Sequence, residues 1–458
     1  MNDTIAAIAT PLGEGGIHII RISGPDALAL AARLFHPKGG AEVAQLEAQR
    51  VSFGHVIDPA SGQTLDEALL IRFNAPHSYT GEDVIELHGH GGTFVASRLL
   101  QLALDHGARA AEPGEFTRRA FQSGRLDLSQ AEAVADVIHA ASEKALTSAL
   151  AQLQGQLSQK LNGLYDALVQ VLAQLEAAID FPEEGLEFAR KQQLDENIRS
   201  AGTEIQKLVD SYRYGKIYRE GLKVALVGKP NVGKSSLLNA LLAEDRAIVT
   251  PHPGTTRDTL EERVRIRDIH ITLVDTAGLR HQPGEIEEMG IERTRHALAQ
   301  ADLALVMFDA SQALDDNDAL LIKEVADKPK LVLLNKGDLP VQIDQTALLD
   351  QLGESRAMIL SATLGKGMDG LQDALYERAT QGAPAGEGLV ITRERHRGAL
   401  AQTKEALDRV SQSLNEDLSE DLIAVDLNIA LEHLGGILGK TFVDDLLDQI
   451  FNDFCIGK

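Results

Sequence analysis

Residues 228–236 read Gly-Lys-Pro-Asn-Val-Gly-Lys-Ser-Ser and fill every fixed position of the phosphate-binding pattern G-x-x-x-x-G-K-[ST]. Glycines let backbone N–H groups close around phosphate oxygens. Lys234 is spaced to reach the β- and γ-phosphates, and the Ser235 hydroxyl is a hard donor for Mg²⁺. The apolar run Leu222–Val227 ahead of the loop predicts a buried strand. Ser235–Leu242 predicts a helix whose N-terminal dipole and free N–H groups favour an anion. A glycine-rich turn arising by chance is the competing reading, and the strand–loop–helix setting weighs against it.

Three further motifs follow in the order a guanine-nucleotide site needs. Asp275-Thr276-Ala277-Gly278 ends the apolar run Ile269–Val274; Asp275 suits the Mg²⁺ shell and the Gly278 N–H suits the γ-phosphate. Asn335-Lys336-Gly-Asp338 follows Leu331–Leu334. The Asp338 carboxylate matches the paired N–H donors of guanine, which adenine lacks. Ser361-Ala362-Thr363 follows the strand expected over Ala357–Leu360 and closes the base pocket. Each motif alone reads as an ordinary turn. Together they predict a GTP site lined also by Asn231, Val232, Gly233 and Ser236.

The type of hydrolysis is partly legible too. Thr250-Pro251-His252-Pro253-Gly254-Thr255-Thr256-Arg257-Asp258 stands where a first switch loop belongs, with Thr256 as the Mg²⁺ ligand that senses the γ-phosphate. Leu279 occupies the place where many GTPases carry a water-orienting glutamine, so hydrolysis needs other help. Asn231, with carbonyls of the switch loop, is suited to hold a monovalent cation that neutralises transition-state charge. An amide that merely stabilises the loop is the equal alternative.

The elements that must position these groups follow from composition. A chain of 458 residues supports about two to four domains with real cores. Cys455 is the one cysteine and the start Met1-Asn-Asp-Thr has no signal-peptide pattern, which points to a reducing, cytoplasmic setting with no membrane span. The net charge of −24 argues against general adhesion to nucleic acid, so an RNA contact needs a local basic patch or a partner. His88 and His90, among glycines, read as turn residues without enough ligands for zinc. Short apolar runs, Ile17–Ile22 and Leu69–Phe73 among them, alternate with turns up to residue 118, which predicts a mixed α+β domain. Ala-, Leu- and Gln-rich helical patterning runs from Ser129 to about Arg213 and resumes from Thr392 to Phe454. The expected architecture is multidomain α/β and α: residues 1–118, a discontinuous helical domain over 119–216 and 381–458, and a GTPase domain inserted over 217–380.

The whole pattern resembles the MnmE (TrmE) family of tRNA-modification GTPases. The resemblance rests on Asp3-Thr-Ile-Ala, Gly15-Gly-Ile17 and Arg21-Ile-Ser-Gly24, and on Tyr79-Thr-Gly-Glu-Asp-Val-Ile-Glu-Leu-His-Gly-His-Gly-Gly92. Pro113-Gly-Glu-Phe-Thr-Arg-Arg-Ala-Phe121, Leu126-Asp-Leu-Ser-Gln-Ala-Glu132, Ile179-Asp-Phe-Pro182, Gly254-Thr-Thr-Arg-Asp258 and Phe454-Cys-Ile-Gly-Lys458 complete it. It implies a folate-binding N-terminal domain that makes a homodimer, and a flavin-dependent MnmG-type partner. With that partner the family adds an aminomethyl or carboxymethylaminomethyl group to C5 of the wobble uridine in certain tRNAs. It also implies K⁺-stimulated GTP hydrolysis, with K⁺ held by Asn231, Thr250, His252 and Thr255, and the water-orienting acid at Glu287, which otherwise reads as a solvated helix-start acid. For 5-formyl-tetrahydrofolate or a related folate it implies Arg21, Glu86, Arg125 and Lys458. Arg125 stands where the family commonly has lysine, so its contact geometry differs. The terminal motif implies that Cys455 approaches the folate from the helical domain, in a positioning role more than a chemical one. A GTP-switched RNA-binding or ribosome-assembly factor, and a GTP-regulated folate transferase acting on a metabolite, are the rival functions.

Overall fold

The computed structural model describes residues 3–180, 188–244, 262–274, 287–381, 389–416, 418–441, 444–452 and 454–458. Packing divides the chain into two compact units. One comprises Met1–His139, Ala149–Gln206 and Gly398–Lys458; the other comprises Ala140–Ser148 and Lys207–Arg397.

The first unit contains a seven-stranded sheet built from β1 (Ile5–Ile8), β2 (Ile17–Ser23), β3 (Phe35–Pro37), β4 (Val51–Ile57), β5 (Thr64–Phe73), β6 (Val84–His90) and β7 (Arg109–Ala110). Their order is β3-β4-β5-β6-β2-β1-β7, antiparallel except for the β1–β7 edge. Alternation along β2 sends Ile20 and Ile22 into the core with Leu70, Ile85 and Leu87, beneath the helices Ala27–Leu34 and Thr93–Asp105. Each such Leu or Ile contributes about 1.5–3 kcal/mol on burial. The same alternation turns Arg21 to the opposite face, and the β2–β6 register sets it directly across from Glu86. His88 and His90 lie on β6, so the reading of them as turn residues is corrected. The turn begins only at Gly91, where a Cβ would overlap the backbone of Gly15.

Helices complete this unit. The helix Gln156–Asp180 buries Leu157, Leu161, Leu168, Val171 and Leu175 at helical spacing, and Glu420–Leu438 buries Ile423, Leu427, Leu431 and Leu434 against it.

The second unit is a doubly wound sheet of β8 (Leu222–Val227), β9 (Glu262–Ile266), β10 (Ile269–Val274), β11 (Leu303–Asp309), β12 (Lys330–Asn335) and β13 (Ala357–Ile359). The order is β13-β12-β11-β8-β10-β9, and only β9 runs antiparallel to its neighbour. Val224, Leu226, Leu305 and Met307 face the helices Lys234–Glu244 and Met368–Thr380. Ala225, Val227, Val306 and Phe308 face the helices Glu287–Gln300, Asp316–Glu324 and Gln345–Leu352. Strands buried on both faces explain the unbroken apolar runs in the sequence. The chain order reverses on either side of β8, which puts a ligand crevice at its carboxyl end. The helix Phe188–Glu220 runs without a break through residues 216 and 217, where the change in composition had suggested a border. Among the described residues no helix is long and apolar enough to cross a membrane.

Candidate functional site

The phosphate loop joins β8 to the helix Lys234–Glu244 at that crevice. Two residues in it take left-handed backbone, Asn231 with φ 65° and Gly233 with φ 103°. Asparagine tolerates this region, whereas Gly233 is needed for a second reason: a Cβ there would overlap the Asn335 side-chain nitrogen. Asn335 itself is buried and bonded at both ends. Its Nδ2 donates to the Val232 carbonyl at 2.7 Å, and its Oδ1 accepts from the Ala362 N–H at 3.0 Å. One side chain therefore ties the phosphate loop to both loops expected to hold the base.

Those loops are tied to each other as well. The Gly337 N–H donates to the Leu360 carbonyl at 3.0 Å, and Ser361 pairs with Lys366 across a tight bridge. Lys336, with φ 62°, donates to the buried Asp309 carboxylate at 2.6 Å. Burial raises the Asp309 carboxyl, but Lys336 and Ser311 outweigh it and hold the group ionised. Asp338 is exposed, and the Ser361 hydroxyl leads the groups that keep its carboxyl below the usual range. Ala362 is buried and Thr363 exposed.

Lys234 folds over its own loop, donating to the Gly228 carbonyl at 2.6 Å and to the Lys229 carbonyl at 2.7 Å. Burial pushes its ammonium down to about 8. Phosphate oxygens would restore the charged form, so nucleotide binding above that pH takes up a proton. The sign is fixed: the free site loses its proton as pH rises through about 8 while the filled site keeps it. Affinity is therefore level below about pH 7 and falls by up to about tenfold per unit above about pH 9. Calorimetry in buffers of different ionisation enthalpy should find proton uptake on binding in the alkaline range and little near neutrality.

Ser235 is exposed on the first helical turn and Ser236 half-buried behind it, so a hydroxyl oxygen of the kind Mg²⁺ prefers stands at the helix N-terminus. The expected ligands Thr250–Thr256 and the motif Asp275–Gly278 lie outside the described residues, as does Leu279. Glu287 is the first residue of the helix Glu287–Gln300, and the placement of its side chain is likewise outside them. Lys229, which the sequence did not single out, pairs with Asp315 at 2.8 Å and Asp318 at 2.7 Å, the two acids that form the capping box of the helix Asp316–Glu324.

A second cluster lies in the first unit. Arg21 Nε donates to Glu86 Oε1 at 3.0 Å and its Nη1 to the Gly457 carbonyl at 3.1 Å. Its guanidinium lies 5.5 Å from the Tyr79 ring centre and 5.6 Å from that of Phe116. His88 Nε2 is 3.2 Å from Glu86 Oε2. The terminal segment is held by Phe116, whose N–H donates to the Lys458 carbonyl at 3.1 Å, and by Gly457, where a Cβ would meet the Ile8 carbonyl. Lys458 is thereby brought beside Arg21 and Glu86; burial first, and then the Arg21 charge, push its ammonium down. Cys455 is exposed, with its carbonyl accepting from the Lys458 N–H at 3.3 Å. Arg125 is exposed on the loop after the helix Glu115–Gln122, near enough for its charge to act on Tyr79. Burial raises the Tyr79 hydroxyl, and a 2.8 Å bond to Thr117 opposes it. Tyr79, Phe116 and His88 were not singled out as site residues; their signal was membership of the two densest motifs. A carboxylate, two cations and two aromatic rings suit a ring with an amide edge and an anionic tail.

A sequence profile described as "MnmE helical domain" matches residues 128–455, and one described as "GTP-binding protein TrmE N-terminus" matches residues 4–125. The chain is 48% identical to the "tRNA modification GTPase MnmE" of Moorella thermoacetica over 463 residues, covering 100% of both chains. It is 44% identical to the protein of the same name from Natranaerobius thermophilus, covering 100% of this chain and 99% of that one. Among solved structures it is similar to the G domain of the T. maritima FeoB iron transporter, at 28% identity and TM-score 0.27 over 34% of this chain and 98% of that one. It is also similar to Era in complex with MgGDPNP and nucleotides of 16S ribosomal RNA, at 28% identity and TM-score 0.27 over 40% of this chain and 66% of that one.

Proposed function

The chain belongs to the MnmE family of tRNA modification GTPases, and from that premise we propose that it couples GTP hydrolysis to substitution at C5 of the wobble uridine in certain tRNAs. It works as a homodimer in the cytoplasm, with a flavin-dependent MnmG-type partner that supplies redox chemistry and a folate, 5-formyl-tetrahydrofolate or a relative, that supplies the one-carbon unit. Residues 1–118 serve folate binding and dimerisation. Residues 119–216 and 381–458 form the helical domain, and residues 217–380 the inserted GTPase domain. The observation that carries the GTPase part is the Asn335 side chain, which joins the phosphate loop to the base loops.

In this reading Asp338 selects guanine, Lys234 holds the β- and γ-phosphates, and the backbone N–H groups of the loop orient them. Ser235, Thr256 and Asp275 would hold Mg²⁺, and Asn231, Thr250, His252 and Thr255 would hold K⁺; both ions supply charge neutralisation when bound. Glu287 orients the attacking water in place of the glutamine that Leu279 replaces. Support for the folate part is the Arg21–Glu86 pair held beside Lys458 by the carbonyl of Gly457. Glu86 would take the amide edge of the pterin, and Arg21, Arg125 and Lys458 the glutamyl carboxylates.

Glu287→Ala is expected to slow single-turnover GTP hydrolysis by about 100-fold with nucleotide affinity unchanged, the range for loss of a group that positions the nucleophile. An unaltered single-turnover rate would remove Glu287 from the mechanism.

A further inference from the structure

The ribbon β9–β10 joins two sequences that sense nucleotide. β9 begins four residues after Asp258, and β10 ends at Val274, directly before Asp275. Its turn, Arg267-Asp268, lies at the other end of β10, about 17–20 Å away along the strand. Arg267 takes φ 55° there, packs 4.6 Å from the centre of the Tyr376 ring and pairs with Asp373. Asp268 Oδ2 lies 3.2 Å from Lys144 Nζ. Lys144 also donates to the Tyr376 hydroxyl at 3.4 Å and sits 5.3 Å from the Tyr218 ring centre and 5.6 Å from that of Tyr376.

Lys144 is the second residue of the helix Glu143–Leu153. Residues of that helix up to Ser148 pack with the GTPase unit. A helix is stiff over such a length, so a pull on Lys144 moves the helical segment around it as a body. The ribbon end also carries unmet polar groups: Asp268 Oδ1 and both ring nitrogens of His270 are buried without a hydrogen-bond partner. Such groups cost free energy, which lowers the gap to another placement of the ribbon in which they are paired.

We propose that the ribbon Glu262–Val274 moves along its axis with the nucleotide state, and that the caged Lys144 transmits this movement to the helix Glu143–Leu153. Lys144 is then a positioning residue of the GTP cycle, distant from the phosphates. The inference rests on the GTPase reading above. Hydrogen–deuterium exchange on the full chain, with GDP and with a non-hydrolysable GTP analogue, tests it. In the wild type, peptides from 262–270 and 143–153 should change protection together between the two nucleotides. In Lys144→Met and in Asp268→Asn the ribbon response should persist while the response of 143–153 is lost, with nucleotide affinity within about twofold; Lys144→Arg should restore it. Bound nucleotide with an unresponsive 143–153 segment in the wild type, or an equal response in both variants, would overturn the proposal alone. Absence of GTP binding would overturn the GTPase reading beneath it.

Discussion

Asp338→Asn is expected to cut affinity for guanine nucleotides by on the order of 100-fold or more and to favour xanthine nucleotides in their place. The carboxylate accepts from two guanine donors at once, and an amide keeps one acceptor while turning an N–H toward the 2-amino group. Xanthine carries an oxygen at that position, which the new N–H suits. Asp338 is exposed and contributes nothing to the core, so the fold should be untouched. Competition of GTP, XTP and ATP against a fluorescent guanine nucleotide reads the switch. Unchanged GTP affinity would refute the assignment of the base pocket.

Gly233→Ala should be as damaging by a different route. The left-handed φ of 103° strains any side chain, and the added methyl overlaps the Asn335 amide. Asn335 cannot swing aside without giving up the Val232 carbonyl on one end and the Ala362 N–H on the other. The variant must therefore open either the phosphate loop or the link to the base loops, and nucleotide affinity should fall by about 100-fold, with stability lowered by about 1–3 kcal/mol. Gly163→Ala is the control. It lies within the helix Gln156–Asp180 with nothing near an added Cβ, so it should raise stability by about 0.5–1 kcal/mol and leave binding alone. Equal nucleotide binding by Gly233→Ala and Gly163→Ala would show that the Asn335 link does not hold the site together.

The nucleotide site was legible because its pieces are local. Leu222–Val227 and Ile269–Val274 are strands with the bounds their apolar runs suggest, and the helix after the phosphate loop begins at Lys234, one residue before the expected start. The second cluster was not legible as geometry. Arg21 meets Glu86 across 65 residues and Gly457 across 436, and only strand register and a returning chain end bring them together. His88 and His90 misled because flanking glycines usually mark turns. Gly89 instead lies in a strand where a Cβ would crowd Asp66 and Leu99. Asp309 was missed because an aspartate closing an apolar strand has no local mark of its pairing with Lys336. The helix Phe188–Glu220 crosses the compositional border because Gly202 and Gly215 stay within its hydrogen-bonded backbone, and Gly221, with φ 80°, is the first glycine there to turn left-handed and stop it.

Substitution of the wobble uridine in tRNA is the function proposed for this chain. Nucleoside mass spectrometry of total tRNA, from cells lacking this gene and from the same cells with a rescuing copy, measures it directly. Loss of the C5-substituted wobble uridines and their return with the wild-type copy, but not with the Gly233→Ala copy, is the predicted result. Unchanged uridine modification in cells with no second copy would contradict it and leave a GTP-switched assembly factor as the better description.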